Sequence, residues 1–264
     1  ACLEWLNGMT DADRFNHWTT QKEHFMSSHV SVEPAILYFG TPVALNSSEN
    51  PDGTFNLAPM SSVFWLGWRC ILGFESVSQT LQNIKRTGEC VINLPSPDQV
   101  DAVNRLALLT GTSPVPDGKK LRGYRFEADK FGVAGLTQQA SETVAPPRVQ
   151  ECPVQMEATL VKVDSVMADD YDYMQHPRVA ECTVVGIESV EMRIRRVHVH
   201  PSMLVPGTDN RIDPNKWRPL IMSFCRFYGL SEELVDSRLA TIPESQYRTP
   251  DIDRAQAEMA AQTA

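Results

Sequence analysis

The 264-residue chain has no Cys-x-x-Cys pair, no Gly-x-Gly-x-x-Gly motif, and no apolar run near the roughly 18 residues that a membrane-spanning helix requires. The first absence, with the cysteines scattered, argues against a zinc site or a disulfide framework. The second excludes the usual dinucleotide fingerprint, although a hydride donor can dock on a bound cofactor without it. The third, with an N-terminus lacking a basic segment followed by an apolar stretch, reads as a cytoplasmic protein without a leader. Basic residues are also short: 24 Lys and Arg face 33 Asp and Glu, and a formal charge of -9 disfavours nucleic acid and anionic membranes as partners. A phosphate-bearing small molecule stays compatible, because a helix N-terminus binds anions locally whatever the global charge. The six scattered cysteines (Cys2, Cys70, Cys90, Cys152, Cys182 and Cys225) read as reduced core thiols.

With 42% hydrophobic and 22% charged residues the composition is that of a folded domain. Residues 1–31, with Trp5, Phe15, Trp18 and Phe25 among polar neighbours, read as a helical arm. From Pro34 the pattern becomes β-like, and Asp52-Gly53 marks a turn between two strands. The next strand is expected to end in irregular backbone at Pro59, which cannot donate to a ladder. Ser76 and Gln79 have capping-box spacing, Leu81 and Ile84 share a helical face, and Gly88 supplies a stop. Ser96, Pro97 and Gln99 open a second helix that carries Val100, Val103 and Leu106 toward Gly111. Residues 112–123 read as a loop and 124–150 as largely irregular.

Two long strands follow, one alternating through Val154, Met156, Ala158 and Leu160. The other, from Val185 to Val199, has phase changes near Glu188-Ser189 and Arg195-Arg196 that suggest β-bulges in a curved sheet. Beyond Val199 the chain reads as loop with one aromatic-rich segment, Trp217 to Tyr228, and then a polar tail from Pro250. The class is mostly β with short helices (α+β). The expected division is an arm at 1–31, a barrel domain at 32–200, and a C-terminal extension at 201–264 that packs on the barrel or on a dimer partner.

Two segments carry candidate chemistry. Asn56-Leu57-Ala58-Pro59-Met60-Ser61-Ser62 ends a strand with polar groups able to meet the edge of a heterocycle. Ser76-Val77-Ser78-Gln79-Thr80 with Asn83 forms a hydroxyl-bearing helix start suited to phosphate. His198 and His200 stand two apart on a strand, but without an evident carboxylate neighbour they read as surface residues, and no metal is expected. Glu151 and Glu157 read as structural. Trp217, Arg218, Phe227 and Tyr228 read as core first, and otherwise as a pocket cover or a subunit contact.

These segments, in their order, resemble the flavin reductase-like family of FMN-binding split barrels. Also matching are Thr87-Gly88-Glu89-Cys90-Val91-Ile92-Asn93-Leu94, Lys130-Phe131, Ala134-Gly135-Leu136-Thr137 and Glu151-Cys152-Pro153-Val154-Gln155-Met156-Glu157. The resemblance covers about residues 32 to 200 and points to the reductase components of two-component monooxygenases. It implies that Asn56, Ala58, Met60, Ser61 and Ser62 face the isoalloxazine ring and upper ribityl chain, and that Ser78, Gln79, Thr80 and Asn83 hold the phosphate. Many members carry a basic residue just before the threonine, where this chain has Ser78-Gln79, and Pro-Pro after the serines, where this chain has Gly67-Trp68.

The implied activity is NAD(P)H:flavin reduction by hydride transfer to flavin N5, with FMN favoured over FAD, a homodimer, and a partner oxygenase. Two alternatives stand beside it: an FMN enzyme acting directly on an organic small-molecule substrate, and a flavin-binding electron carrier without catalysis of its own.

Overall fold

A computed structural model describes residues 29–167 and 186–263. The expected arm up to residue 28, together with Cys2, Cys182 and Val185, lies outside the described residues. Residues 1–37 and 38–264 form two separate units, and every strand and helix among the described residues belongs to the second.

The strands are β1 (Thr41–Pro42), β2 (Ala44–Glu49), β3 (Phe55–Met60), β4 (Val63–Leu66), β5 (Arg69–Glu75), β6 (Glu89–Leu94), β7 (Leu109–Thr110), β8 (Arg125–Phe126), β9 (Gln138–Gln139), β10 (Arg148–Val149), β11 (Val154–Val166), β12 (Ile187–Val199), β13 (Leu220–Ser223) and β14 (Arg226–Gly229). The helices are α1 (Gln79–Thr87), α2 (Val100–Leu106), α3 (Asp117–Leu121), α4 (Lys130–Ala134) and α5 (Pro250–Thr263).

Seven antiparallel strands pair in the order β3-β2-β6-β11-β12-β5-β4. The two edges, β3 and β4, are consecutive in sequence and joined only by Ser61-Ser62, so the sheet has to curl until its edges meet. No ladder joins those edges, which leaves the barrel split. Its interior is filled by Leu72, Ile92, Met156, Val190 and Met192, with Leu81 and Ile84 of α1 packed against them. The other face of the sheet meets a second core in which Leu45 and Leu57 pack on Val103 and Leu106 of α2 and on Phe131 of α4.

Pro59 does not end β3 as expected. It pairs with Leu45 inside the strand, and because β3 is an edge the missing N–H interrupts no ladder. The turn at Asp52-Gly53 forms as expected, with Gly53 at φ +82 and the Gly53 N–H donating to Asn50 O. One bulge falls where the alternation places it, Arg195 being the extra residue opposite Glu157 and Ala158. The other does not. Register is kept through Glu188-Ser189, and the extra residue is Val161 on β11. Glu188 takes the buried phase of β12 by pairing with Lys85, so its polarity does not mark a phase change.

α1 ends at Gly88 as read, but Ser78 is its N-cap, and the Gln79 side chain goes to Asn83 instead of closing a box with Ser76. At Ser96 the box does form, as Gln99 Oε1 accepts from Ser96 N at 2.7 Å. That helix stops at Leu106, short of Gly111. Helix α3 lies inside the segment that reads as loop, and α4 inside the one that reads as largely irregular. The aromatic-rich segment is the hairpin β13–β14, and the expected polar tail is α5, held to the barrel by Arg69–Asp251 and Arg195–Glu258, both 2.7 Å, and by buried Ala255. Cys70, Cys90 and Cys152 are buried free thiols, whereas Cys225 is exposed at the hairpin tip. No helix among the described residues is long and apolar enough to cross a membrane.

Candidate functional site: a cleft lined by two buried lysines

The polar end of the barrel opens into a cleft between β3, the start of α1, and the segment from α2 to α4. Ala58, Pro59 and Met60 form one wall, Ser78, Gln79 and Thr80 a second, Thr110 and Gly111 a third, and Lys119, Tyr124 and Lys130 complete it. Five residues expected at a flavin site therefore meet here: Ala58, Met60, Ser78, Gln79 and Thr80.

Asn56 lies directly behind this lining, 2% exposed. Its Nδ2 donates to Thr80 Oγ1 at 2.9 Å, and its Oδ1 accepts from Lys130 Nζ at 2.9 Å. Gly111 fits over it because a Cβ at 111 would stand 2.5 Å from Asn56 Oδ1. Asn83 faces elsewhere: its Nδ2 donates to Ser48 Oγ and Asn50 Oδ1, fixing the β2–β3 hairpin to α1. Ser61 and Ser62 do not line the cleft. Ser61 O accepts from Thr41 Oγ1, and Ser62 O from the N–H of Gly73, so they serve the crossing between sheet edges.

No side chain caps the first turn of α1, where the N–H groups of a helix start lack intrahelical partners and carry the positive end of its dipole. Two cations add to this. Lys130 is 2% exposed and Lys119 9%. Neither pairs with a carboxylate among the described residues: Lys130 has Asn56 Oδ1, and Lys119 has Thr110 Oγ1 at 3.4 Å and the Tyr124 ring at 5.7 Å. Burial first, and then the charge of Lys119, push the Lys130 ammonium down to about 7, while Glu127 opposes the shift. Burial likewise lowers Lys119. The carboxylate that acts on Lys119, Glu75, is engaged by Arg122 through bonds of 2.6 and 2.9 Å. The cleft thus holds two buried lysines that make no ion pair among the described residues, beside a Glu75 carboxylate that also lines it and is engaged by Arg122.

Neither lysine stands out in the sequence as a site residue. Lys130 is part of a family-like dipeptide with no role attached, and Lys119 belongs to a segment that reads as loop.

A second polar cluster lies on the outer face of β11 and β12. Glu157, fully buried, accepts from Glu142 N at 2.9 Å, Thr143 N at 2.5 Å and Thr143 Oγ1 at 2.6 Å, with His198 Nε2 at 2.8 Å and Arg148 Nε at 3.8 Å. Burial works against this charge, but His198, Thr143 and the two backbone N–H groups outweigh it and hold the carboxyl at about 2. His198 therefore does have a carboxylate neighbour, contrary to the expectation from sequence. The structural role of Glu157 is to fasten the 138–149 segment to the barrel. Among the described residues no group of His, Cys, Asp and Glu is arranged to hold a metal. Trp217 and Phe227 pack against the two cores, Arg218 bonds Ser231 O, and Tyr228 is exposed.

Residues 36–205 match the model of the flavin reductase like domain. An uncharacterized protein of Bacillus subtilis (strain 168), YdfE, is 36% identical over 203 residues, which is 77% of this chain and 90% of that protein. Among solved structures, flavoredoxin of Desulfovibrio vulgaris (Miyazaki F) superposes with a TM-score of 0.60 at 21% identity, over 81% of this chain and 99% of that one. Nitrilotriacetate monooxygenase component B from Bacillus cereus gives 0.59 at 18% identity, over 79% and 100%. These structures share the fold, and the sequence matches carry the assignment: the chain belongs to the flavin reductase-like domain family, a family of flavin-related oxidoreductases.

Proposed function

We propose that the cleft binds FMN and that the protein works as an NAD(P)H:flavin reductase. The observation that carries this reading is the pairing of an uncapped helix start with two buried lysines that have no carboxylate partner among the described residues. A buried cation without a counter-charge is unfavourable, and a phosphate ester at the first turn of α1 supplies that counter-charge. The lysines also answer the departure at Ser78-Gln79, where the family often has a basic residue.

Thr80 accepts from Asn56, so its own hydroxyl proton is free to donate to a phosphate oxygen, alongside Ser78 and the first-turn N–H groups. Ala58, Pro59 and Met60 form an apolar wall suited to a flat ring. When bound, FMN supplies the chemistry, accepting hydride from NAD(P)H at N5. The chain's part is to hold the ring and orient its open face, and no side chain is assigned as an acid or base.

A homodimer fits the exposed aromatic patch around the β13–β14 hairpin, where Phe39 and Phe224 meet edge to face at 5.1 Å beside exposed Tyr228. The likeness to a monooxygenase component supports a partner oxygenase that takes up reduced flavin. Purified protein is expected to bind FMN and to bleach it rapidly with NADH or NADPH, with turnover of added flavin. Slow bleaching of a tightly retained flavin would instead favour an enzyme acting directly on an organic substrate, and no bleaching an electron carrier. Light scattering tests the dimer.

A further inference from the structure

Lys130 begins α4, yet its side chain runs inward and ends against Asn56. Three polar groups then stand in line. Lys130 Nζ donates to Asn56 Oδ1, and Asn56 Nδ2 donates to Thr80 Oγ1. An ammonium can only donate, so in its charged form Lys130 fixes the orientation of the amide, and the amide in turn leaves the Thr80 hydroxyl to donate into the cleft. The direction of donation is set from the amine to the helix start.

The surroundings decide how much charge this line can carry when the cleft holds no anion. On α4 and the turn before it, Asp129 caps the helix by accepting from Gly132 N, and Glu127 accepts from Asp129 N and pairs with Arg125. From α3 and its continuation come Lys119, a like charge, and Arg122, which is committed to Glu75 of β5. Tyr124 stays neutral, with burial raising its pKa. From α2, Arg105 donates to Val133 O and Ala134 O. β3 contributes only the neutral Asn56. Among the described residues the acids named here already have partners, and Lys119 adds a like charge. Two buried ammonium groups facing one cleft are relieved either by an anion or by loss of a proton.

We propose that above neutral pH Lys130 is a neutral amine in the ligand-free cleft and becomes an ammonium when a phosphate dianion is seated at the first turn of α1, so that ligand binding takes up a proton. This deepens the flavin reading and rests on it. The burial-driven pKa of about 7 places the exchange near neutral pH. The sign follows from linkage: a group whose pKa is higher in the bound state binds more protons there, so affinity falls as pH rises above the free value. Lys130 thereby acts as a specificity-determining residue for phosphorylated over neutral flavin, working through Asn56 and Thr80.

The test is isothermal calorimetry of FMN binding at pH 8, where free FMN is already a dianion, in buffers of different ionisation enthalpy. Wild type is expected to take up between about half a proton and one proton per FMN, and its affinity to fall up to about tenfold per pH unit above 8. Riboflavin should take up none. Lys130→Met should show no uptake with FMN. Lys130→Arg, always charged, should bind FMN with no uptake and a flat pH profile. Heats independent of buffer in wild type, or undiminished uptake in Lys130→Met, would overturn the proposal while leaving FMN binding intact. If FMN does not bind, the flavin reading fails, and the same proton count with inorganic phosphate decides for Lys130: uptake supports the proposal and its absence overturns it.

Discussion

Glu157 and Lys130 are two buried charges on opposite terms with their surroundings. Glu157 is met by four hydrogen-bonding groups, and its pKa falls to about 2 despite burial. Lys130 has one neutral acceptor and a like charge nearby, and its pKa falls to about 7 because burial, and then Lys119, disfavour its charge. Both shifts are downward, but for the carboxylate that means a stabilised charge and for the amine a destabilised one. The difference separates structure from function. A charge completed by its own chain fastens a segment, and a charge left incomplete marks the place where a ligand belongs.

The comparison breaks most visibly at Glu157. Glu157→Gln keeps the size but loses the charge, and should destabilise the fold by roughly 3–5 kcal/mol, measured by urea unfolding at neutral pH. The folded-state pKa lies below the usual 4.5, so the contribution is fully present above that value and is lost as pH falls toward 2. The gap between wild type and variant should close over that range. A gap independent of pH would show that charge is not what Glu157 contributes.

At Lys130 the sign reverses. Lys130→Met should stabilise the ligand-free protein by roughly 1–4 kcal/mol at or below pH 7, because it removes an unmatched buried charge. The folded pKa is depressed below the unfolded value, so the penalty in wild type is full below about 7 and fades as pH rises toward 10.5. Thermal unfolding in the absence of flavin reads this, and destabilisation at pH 6 would contradict it.

Thr80→Val keeps the side-chain shape and removes the donor. It should weaken FMN about ten- to a hundredfold, from a charge-assisted bond of roughly 1.5–3 kcal/mol, and change riboflavin little. Equal losses for both flavins would mean general damage to the cleft. The smallest effect is expected on α5. Glu258→Gln removes a partly exposed pair with Arg195 and should change stability by less than about 1 kcal/mol.

What is legible in the sequence depends on where the signals lie. The Asp52-Gly53 turn, the stop at Gly88 and the Ser96–Gln99 box are local, and each forms as read. Five cleft residues are found from two short segments whose order matches a family. The lysines are not, because α3 and α4 are five residues each, too short for a 3.6-residue period to show. Asn83 and Gln79 carry the right residue types for a phosphate site, yet they bond each other, and only the fold shows Asn83 turned toward Ser48 and Asn50. The neighbour of His198 lies 41 residues away in sequence, across a ladder whose register is set by the bulge at Arg195. Pairing at that distance is a property of the sheet and has no local signature.

The central claim is that the two lysines and the start of α1 select a flavin bearing a phosphate. Equilibrium titration of the flavin-free protein with FMN and with riboflavin at pH 7, followed by flavin fluorescence, tests it most directly. The expected result is one FMN per chain, bound about ten- to a hundredfold more tightly than riboflavin. Equal affinity for the two flavins, or no binding of FMN, would contradict it.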